Sequence, residues 1–290
     1  MSTPPDRPGK PGRRPPFGRP GQGGGKGAGK GFGRGPQAGR ERRDGSPSGP
    51  LGGPDDPVVL YGWHPVFQAL SNGTRKLHRL LATENALARL TEELGTLPID
   101  AELVKPFAIN ALVGADAVHQ GLYLEADPLP APALDEMPED ALLVALDQIT
   151  DPHNVGAIVR TAAAFGVAGI ITTARHSPSA TGVLAKSASG GLEHVPLVVV
   201  RNLAEALIEL GERGFTRVGL DSEADVSLDA YTPKLPTVLV LGAEGKGLRQ
   251  RTRECCDVIA RIPFTGTIRS LNVSNAAAIA LYALSPRERA

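Results

Sequence analysis

Three short polar segments in the C-terminal half of the chain carry the side chains best suited to chemistry. Each follows an apolar run and offers amides, hydroxyls, a carboxylate or glycine in place of residues that would fill a core. The first contains Asn154 and Arg160, the second contains Glu244 between glycines, and the third contains Ser270 and Asn272. Because α/β proteins bind ligands in loops that follow buried strands, the three segments predict one shared binding site.

Among these side chains, Arg160 is the one whose possible chemical role is easiest to define. A guanidinium stays protonated at physiological pH, so it can stabilise developing negative charge or hold a phosphate, but it accepts protons poorly. The apolar spacing predicts a helix over residues 155–165, with Arg160 off its buried stripe and the small residues Gly156 and Ala157 one turn earlier. Those small residues leave room for something to lie against the helix. An isolated helical arginine is more often a solvated surface residue.

Each segment also has an ordinary structural explanation. Asn154 is predicted to be the N-cap of the helix that follows it, and Ser270 and Asn272 are equally suited to capping. The glycines around Glu244 suit a plain turn. They do not form a dinucleotide-binding motif, because a Glu and a Lys stand between them and no βαβ unit with a downstream acid follows.

Metal and thiol chemistry have no support in the sequence. His64, His119 and His153 are scattered, so they form neither a metal-ligand pattern nor a Ser-His-Asp arrangement, and we expect no metal site. Cys255 and Cys256 are the only cysteines. They are adjacent and lack a CxxC partner, which favours a structural role in a reducing compartment.

Strands alternate with helices from residue 141 onward. Strands are predicted at 141–146, 168–173, 195–200, 216–220, 237–241 and 258–262. Helices are predicted at 155–165, near 180–188, at 203–213, near 248–254 and at 273–284. This alternation predicts an α/β domain over residues 141–290, with a mostly parallel sheet covered by helices on both faces.

Residues 57–127 are predicted to form a smaller α/β domain, and residues 128–140 a proline-rich linker. The strands of the smaller domain are predicted at 58–62, 77–82, 103–104 and 119–125, and its helices at 65–70 and 85–93. Residues 1–56 are predicted to be a disordered tail. The first fifty residues hold 15 of the 35 glycines, ten prolines and almost no aliphatic side chains that would offset the ordering entropy.

The tail also concentrates positive charge. Lys/Arg and Asp/Glu balance at 31 each over the whole chain, but the first fifty residues carry 11 basic and three acidic residues. A basic tail on an acidic body indicates a polyanionic partner, with a purely solubilising tail as the alternative. No apolar run approaches membrane-spanning length and the N-terminus lacks a signal-peptide core, so we expect a cytoplasmic protein with no membrane partner.

Taken together, the three segments resemble the three motifs of the SpoU (TrmH-type) branch of the SPOUT RNA methyltransferases. The matching strings are DPHNVGAIVR at 151–160, LGAEGKG at 241–247, IPFTG at 262–266 and SLNVS at 270–274. The smaller domain is similar to the substrate-binding domain of that branch through YGWH at 61–64 and HQG at 119–121. Phe264 and Asn275 replace the family's commoner Met and Val, and neither change removes a polar motif group.

The resemblance implies a ribose 2′-O-methyltransferase that uses S-adenosylmethionine and acts as a homodimer. It also implies a C-terminal trefoil knot, which nothing in the periodicity would suggest. By position, the cofactor contacts fall at Gly242, Ile262 and Leu271, with Ser270 and Asn272 beside them.

The same resemblance implies catalytic roles for Arg160, Asn154, Glu244, Ser270 and Asn272. We expect Arg160 to stabilise a developing alkoxide or to hold the flanking phosphate, because a guanidinium is a poor base. Glu244 would position Arg160 or Asn154. Ser270 and Asn272 would shape the pocket.

Within the family, the resemblance is greatest to the 23S rRNA guanosine 2′-O-methyltransferases. A separate N-terminal binding domain and a basic tail favour a large structured RNA as partner, either 23S rRNA or a ribosome precursor. Two alternatives stay open. One is a tRNA (guanosine-2′-O)-methyltransferase with the same chemistry, and the other is a non-catalytic RNA-binding assembly factor that keeps the fold.

Overall fold

Two β-sheets form within the described part of the chain, one before and one after the proline-rich stretch at residues 128–140. The computed structural model describes residues 57–175, 182–232, 234–268 and 270–285. The predicted tail at 1–56 and the start of the helix predicted near 180 lie outside the described residues. Both sheets belong to the same compact unit of the chain.

The first sheet has four strands in the spatial order β1-β4-β2-β3. Its strands are β1 (Val58–Tyr61), β2 (Leu77–Ala82), β3 (Ala101–Leu103) and β4 (Leu122–Ala126). Its helices are α1 (Trp63–Asn72), α2 (Glu84–Leu94) and α3 (Pro106–Val113). β4 runs antiparallel to both β1 and β2, whereas β2 and β3 are parallel. This arrangement agrees with the predicted small α/β domain.

Two local predictions in this domain are wrong. Helix α3 was not predicted, because its sequence is mostly apolar and so shows no amphipathic stripe. In the structure only Ile109 of this helix is buried. The strand predicted from residue 119 starts at Leu122. Gln120 and Gly121 have positive φ angles of 53° and 81°, so they form a turn that the alternating pattern does not reveal.

The second sheet has seven strands in the order β7-β6-β5-β10-β8-β11-β9, and every neighbouring pair is parallel. Its strands are β5 (Leu142–Asp147), β6 (Gly169–Thr173), β7 (Leu197–Val200), β8 (Thr216–Leu220), β9 (Val226–Ser227), β10 (Thr237–Gly242) and β11 (Val258–Arg261). The prediction of a mostly parallel sheet is therefore confirmed. Only the two-residue strand β9 was not predicted, because it is too short to show a pattern.

Helices cover both faces of this sheet, as predicted. They are α4 (Pro152–Ala164), α5 (Gly182–Ala188), α6 (Leu203–Glu212), α7 (Gln250–Glu254) and α8 (Val273–Leu284). Along β5, Leu142, Val144 and Leu146 join an apolar cluster with α4 and α8. The alternate residues Leu143 and Ala145 join a second cluster with α6. The continuous apolar run thus reflects a strand that is buried on both sides.

The position of β10 decides where the polar segments meet. Although β10 comes late in the chain, it lies beside β5, and Gly242 is in register with Asp147. The loops that follow β5 and β10 therefore leave the sheet at the same edge. No helix in the described part of the chain has the length and hydropathy needed to cross a bilayer.

Candidate active site

The three polar segments meet at the carboxyl edge of the seven-stranded sheet. Asn272 Nδ2 donates to Glu244 Oε1 at 2.8 Å and to Asn154 Oδ1 at 2.9 Å. Asn154 Nδ2 donates to the same Glu244 oxygen at 3.2 Å. These three residues, which we call the amide–carboxylate network, come from three separate segments of the chain, and Asn154 and Asn272 are 118 positions apart.

Asn272 has a second role at the start of helix α8. Its Oδ1 accepts hydrogen bonds from Ser274 N at 2.9 Å and Ser274 Oγ at 2.5 Å, which makes it the N-cap. Capping by Asn272 agrees with the sequence prediction. Because Oδ1 serves the helix, the Nδ2 group must point the other way, toward Glu244. The backbone N–H of Val273 adds a third donor to Glu244 Oε1 at 3.3 Å.

The prediction that Asn154 caps helix α4 is wrong. The N-cap is Asp151, whose carboxylate accepts from the backbone N–H groups of His153 at 3.2 Å and Asn154 at 3.3 Å. Pro152 occupies the first helical position, where its missing N–H costs nothing and its fixed φ suits the helix. Asn154 therefore lies within the first turn, and its side chain reaches Glu244 because it is not needed as a cap.

Arg160 lies apart from the amide–carboxylate network. It is exposed on α4, and its side chain makes no hydrogen bond or ion pair with any described residue. At about 100° per residue, its side chain leaves the helix about 120° around from that of Asn154, six positions earlier. Of the two predicted partners of Glu244, the structure therefore shows contact with Asn154 and none with Arg160.

The space predicted next to Gly156 is filled by helix α5. A Cβ added at Gly156 would lie 2.4 Å from Ser187 Cβ and 2.9 Å from both Ala188 N and Leu184 O. The small residue therefore permits close packing of two helices, and it does not leave a ligand cleft.

The glycines near Glu244 are required by the loop itself. A Cβ at Gly242 would lie 2.2 Å from the carbonyl carbon of Gly247, because the loop folds back on the end of β10. Gly245 and Gly247 have φ angles of 75° and 64°, which favour glycine. The N–H of Gly247 donates to the carbonyl of Ala243 at 2.9 Å and closes the turn. The turn holds Glu244 at its tip.

A cavity of about 310 Å³ opens beside this loop. Four of the five predicted cofactor residues line it: Gly242, Ile262, Ser270 and Leu271. Asn272, the fifth, lies between lining residues Leu271 and Val273 and joins the site through its contact with Glu244, which is itself a lining residue.

The sequence prediction missed one wall of the cavity. Leu220, Asp221 and Ser222, at the end of strand β8, also line it. Asp221 forms an ion pair with Arg253, and its Oδ1 accepts from Glu223 N at 2.9 Å. The available signal was a pair of polar residues after a predicted strand, the same signal that marked the other loops. This signal could not be assigned to the site from the sequence, because the sequence does not show that β8 lies beside β10.

A nucleoside-like cofactor fits the residues that are present. Apolar side chains supply flat walls for a base, and these are Leu220, Leu241, Ile262, Phe264 and Leu271. Residues of the glycine loop also line the cavity, so their backbone groups are available as polar partners. The volume lies at the lower end of the range for ligand pockets, which is about 300–1,000 Å³.

The cysteines do not take part in this site. Cys255 is buried, and burial, reinforced by Cys255, raises the pKa of the Cys256 thiol to about 12. A thiol with that pKa carries almost no thiolate at neutral pH and is a poor nucleophile. No group of three or more His, Cys, Asp or Glu side chains in the described part of the chain is arranged to hold a metal ion.

The fold and the cavity define an α/β protein with a nucleoside-sized pocket at the carboxyl edge of a parallel sheet. Residues 141–282 match the model of the SpoU rRNA methylase family. Residues 59–132 match the model of the RNA 2′-O ribose methyltransferase substrate-binding domain. The chain belongs to the SpoU family of RNA methyltransferases.

Individual relatives agree with this assignment. The 23S rRNA (guanosine-2′-O-)-methyltransferase RlmB of Pseudomonas aeruginosa is 46% identical over 175 residues, covering 58% of this chain and 71% of that protein. An uncharacterized tRNA/rRNA methyltransferase of Mycobacterium ulcerans is 37% identical over 250 residues, covering 81% and 79%. The structure of the SpoU methyltransferase AviRb of Streptomyces viridochromogenes with AdoMet has a TM-score of 0.67 at 28% identity and covers 79% of this chain and 89% of that one.

The protein is therefore an S-adenosylmethionine-dependent RNA methyltransferase that acts on a ribose 2′-hydroxyl. This outcome confirms the predicted family, reaction and cofactor. The intact network and cavity also favour an enzyme over the alternative of a non-catalytic assembly factor.

Proposed function

We propose that this enzyme methylates the 2′-hydroxyl of a guanosine in 23S rRNA. The observation that carries the proposal is the amide–carboxylate network beside a nucleoside-sized cavity, in a chain that is 46% identical over 175 residues to an enzyme named for that reaction. The substrate-binding domain matched at residues 59–132 supports a large structured RNA over a free nucleotide.

The cofactor is held by the residues that line the cavity. We assign its contacts to Gly242, Ile262, Ser270 and Leu271, with Asn272 at the border of the pocket. When bound, S-adenosylmethionine supplies a methyl group on a sulfonium, which is a good leaving group. The protein must therefore orient the ribose hydroxyl and help it lose its proton.

Arg160 is assigned to the developing charge on the ribose oxygen or to the flanking phosphate. It does not act as the base, because its guanidinium stays protonated, and the proton leaves to water or to the phosphate. The amide–carboxylate network holds Asn154 and Glu244 at the pocket edge, while Ser270 shapes the wall of the pocket. Glu244 acts by positioning Asn154 and Asn272.

We further propose that the enzyme works in the cytoplasm as a homodimer and carries the trefoil knot of its family. Exposed apolar side chains on helix α8, Ile279 and Tyr282, support a second copy at that surface. Arg160 is exposed and does not line the cavity of its own chain. Its position supports a site that is completed by the second subunit.

A labelled-cofactor assay tests the substrate. The purified full chain is incubated with S-adenosylmethionine carrying a labelled methyl group and with separated 23S rRNA, 16S rRNA and tRNA. We expect label in 23S rRNA alone and a single 2′-O-methylguanosine on mapping. Label in tRNA instead would establish the tRNA alternative, and no label in any RNA would contradict the proposal.

The Arg160→Ala variant tests the catalytic assignment in the same assay. We expect methyl transfer to be abolished while the cofactor dissociation constant, measured by calorimetry, stays within about twofold, because Arg160 does not line the cavity. Arg251→Ala is the matched control, since it removes another exposed helical arginine. An equal loss of methyl transfer and cofactor binding would make Arg160 a structural residue.

A further inference from the structure

A short segment of the second domain contacts the first domain through a buried ion pair. Glu193 Oε1 and Arg75 Nε are 2.8 Å apart, and the two side chains are only 3% and 4% exposed. Arg75 Nη1 also donates to the carbonyl of Asp127 at 2.8 Å, where the first domain ends. The pair therefore joins the end of the first domain to the 3₁₀ turn Gly191–Glu193 of the second.

Helix α1 forms two further hydrogen bonds with the same segment. Asn72 Nδ2 donates to the Glu193 carbonyl at 2.9 Å, and a hydrogen bond of 2.8 Å joins His194 Nε2 and Gln68 Oε1. A Cβ added at Gly190 would lie 2.4 Å from Gln68 Cγ. Residues 190–194, which we call the bridging segment, thus lie directly against α1.

The opposite side of the bridging segment lies against the backbone of Arg160. A Cβ added at Gly191 would lie 3.1 Å from the carbonyl oxygen of Val159 and 3.2 Å from Arg160 Cα. One element of five residues therefore touches the substrate-binding domain on one side and the helical turn that carries Arg160 on the other.

We propose that the bridging segment is a positioning element, and that Arg75 and Glu193 fix the substrate-binding domain at a set distance and angle from Arg160. The inference rests on the proposed function, because it needs an RNA held by the first domain to present a ribose to the second. Misplacing reacting groups by about 1 Å can lower a rate by about 10²-fold, so the geometry of this contact matters for transfer.

The need to hold the two domains together does not by itself explain why a charged pair lies in their contact. The two domains already share an apolar cluster that includes Trp63 and Leu192. A buried ion pair adds little net stability compared with apolar side chains, but it tolerates only a narrow range of geometries. Among the described residues, Glu193 Oε2 has no hydrogen-bond partner, so the carboxylate is not optimised for stability.

The test compares Glu193→Ala, Arg75→Ala and the double variant with wild type, all as full chains. Three quantities are measured: kcat and KM for the RNA that wild type methylates best, the dissociation constant of S-adenosylmethionine, and the interdomain distance distribution. The last is read by fluorescence transfer between labels at Glu92→Cys and Glu209→Cys, both exposed positions. Glu102→Ala is the control, because it removes one carboxylate from an exposed ion pair of the first domain.

We expect both single variants to broaden the distance distribution and to lower kcat/KM for RNA by about 10- to 100-fold, with cofactor affinity within about twofold of wild type. The double variant recovers thermal stability, because no lone charge stays buried, but its kcat/KM stays low. A double variant that recovers both stability and kcat/KM would show that the pair is only structural and would overturn the proposal.

Milder variants keep the test informative if a single variant fails to fold. Asn72→Ala removes one link without burying a charge and is expected to lower kcat/KM in the same direction. Gly191→Ala presses on the backbone of Arg160 and is expected to lower kcat with an unchanged distance distribution. Wild-type kinetics in both variants would overturn the proposal. An inactive wild type would instead refute the proposed function, and the distance measurement would still report on the contact.

Discussion

At the scale of single residues, Asn272 shows how one amide serves both the fold and the site. Its oxygen caps helix α8 and its nitrogen donates to Glu244 and Asn154. The two functions use opposite ends of the side chain, so each fixes the orientation that the other needs. An ionised carboxylate at this position can perform only the first, because it accepts hydrogen bonds and cannot donate them.

We therefore expect Asn272→Asp to keep helix α8 and to lose methyl transfer. Aspartate caps helices as well as asparagine does. It cannot donate to Glu244, however, and it places a second carboxylate about 3 Å from the first, where like charges repel. We expect kcat to fall roughly 10²-fold or more, by analogy with the loss of one positioned donor. Circular dichroism should show unchanged helix content.

Asn202→Asp is the matched control for that variant. Asn202 is the N-cap of α6, where its side chain accepts from Ala204 N at 3.1 Å. The same chemical change there should leave kcat within about twofold. If Asn272→Asp were as active as Asn202→Asp, the donated hydrogen bonds of Asn272 would have no catalytic importance.

At the scale of elements, helix α4 is held between α5 and the sheet, and its close approach to α5 depends on Gly156. The helix carries both Asn154 and Arg160. Its packing against α5 therefore fixes where these two side chains lie.

Gly156→Ala should destabilise the protein although alanine is the better helix former. The helix propensity gain is about 1 kcal/mol. An added Cβ would meet Ser187 Cβ at 2.4 Å and two α5 backbone atoms at 2.9 Å, and overpacking of this kind costs roughly 1–3 kcal/mol. Because backbone atoms cannot move aside cheaply, we expect the overpacking cost to exceed the propensity gain, with a net loss of up to about 2 kcal/mol in urea unfolding.

Gly211→Ala is the corresponding control in helix α6. The three atoms nearest to its added Cβ all belong to the guanidinium of Arg217, with Nη1 at 2.6 Å, and none is backbone. Moving that side chain loosens its ion pair with Asp257 near the surface, so we expect the propensity gain to be partly offset and the loss to be smaller than in Gly156→Ala. A Gly156→Ala protein as stable as Gly211→Ala would show that α4 and α5 can separate without cost.

The turn before β4 makes the first domain sensitive to acid. His119 Nδ1 accepts from Gly121 N, and Nε2 is paired with Asn110 Oδ1, both at 3.0 Å, so the ring is neutral. Burial, with a smaller effect from the charge of Lys186, lowers the pKa of His119 below its usual value. The unfolded chain then binds a proton before the folded one does, so stability is complete above about pH 6.5 and falls as the pH drops toward the folded pKa.

We expect the free energy of unfolding of wild type to decrease between about pH 7.5 and 5.5, by no more than about 1.4 kcal/mol per pH unit for this one group. His119→Gln should be less stable at pH 7.5 and should lose most of this slope. His64→Gln, which replaces an exposed histidine, is the control. An unchanged slope in His119→Gln would show that the turn does not titrate in this range.

Local patterns predicted the elements of the second sheet well, because strands buried on both faces appear as unbroken apolar runs. Details that depend on geometry were harder. Asp151 and Asn154 are both good caps three residues apart, and only the preference of proline for the first helical position, here Pro152, favours Asp151. The role of Asp221 depends on β8 lying beside β10, which no local pattern reveals. The cofactor contacts and catalytic roles came from the resemblance of the motifs, because periodicity does not indicate them.

At the scale of the whole molecule, charge is divided unevenly along the chain. Of the 31 Lys/Arg residues, 11 lie in the first fifty positions, whereas 28 of the 31 Asp/Glu residues lie after them. The part of the chain that carries the site is therefore acidic, and it must approach a polyanion. The bridging segment and the shared apolar cluster hold the two sheets together, but neither supplies the positive charge that attracts RNA.

Deleting residues 1–56 should weaken RNA binding without changing the nucleotide that is methylated. Each phosphate contact contributes about 0.7–0.9 to the slope of log affinity against log salt, so loss of the tail should flatten that slope between about 50 and 200 mM salt. A full-length variant with the 11 basic residues of positions 1–50 changed to Gln separates charge from chain length, and it should behave like the deletion. If the slope stayed steep in both proteins, the acidic body would have to bind the phosphates through its own exposed Lys and Arg side chains. If the methylated position moved instead, the tail would select the site rather than only raise the local concentration of RNA.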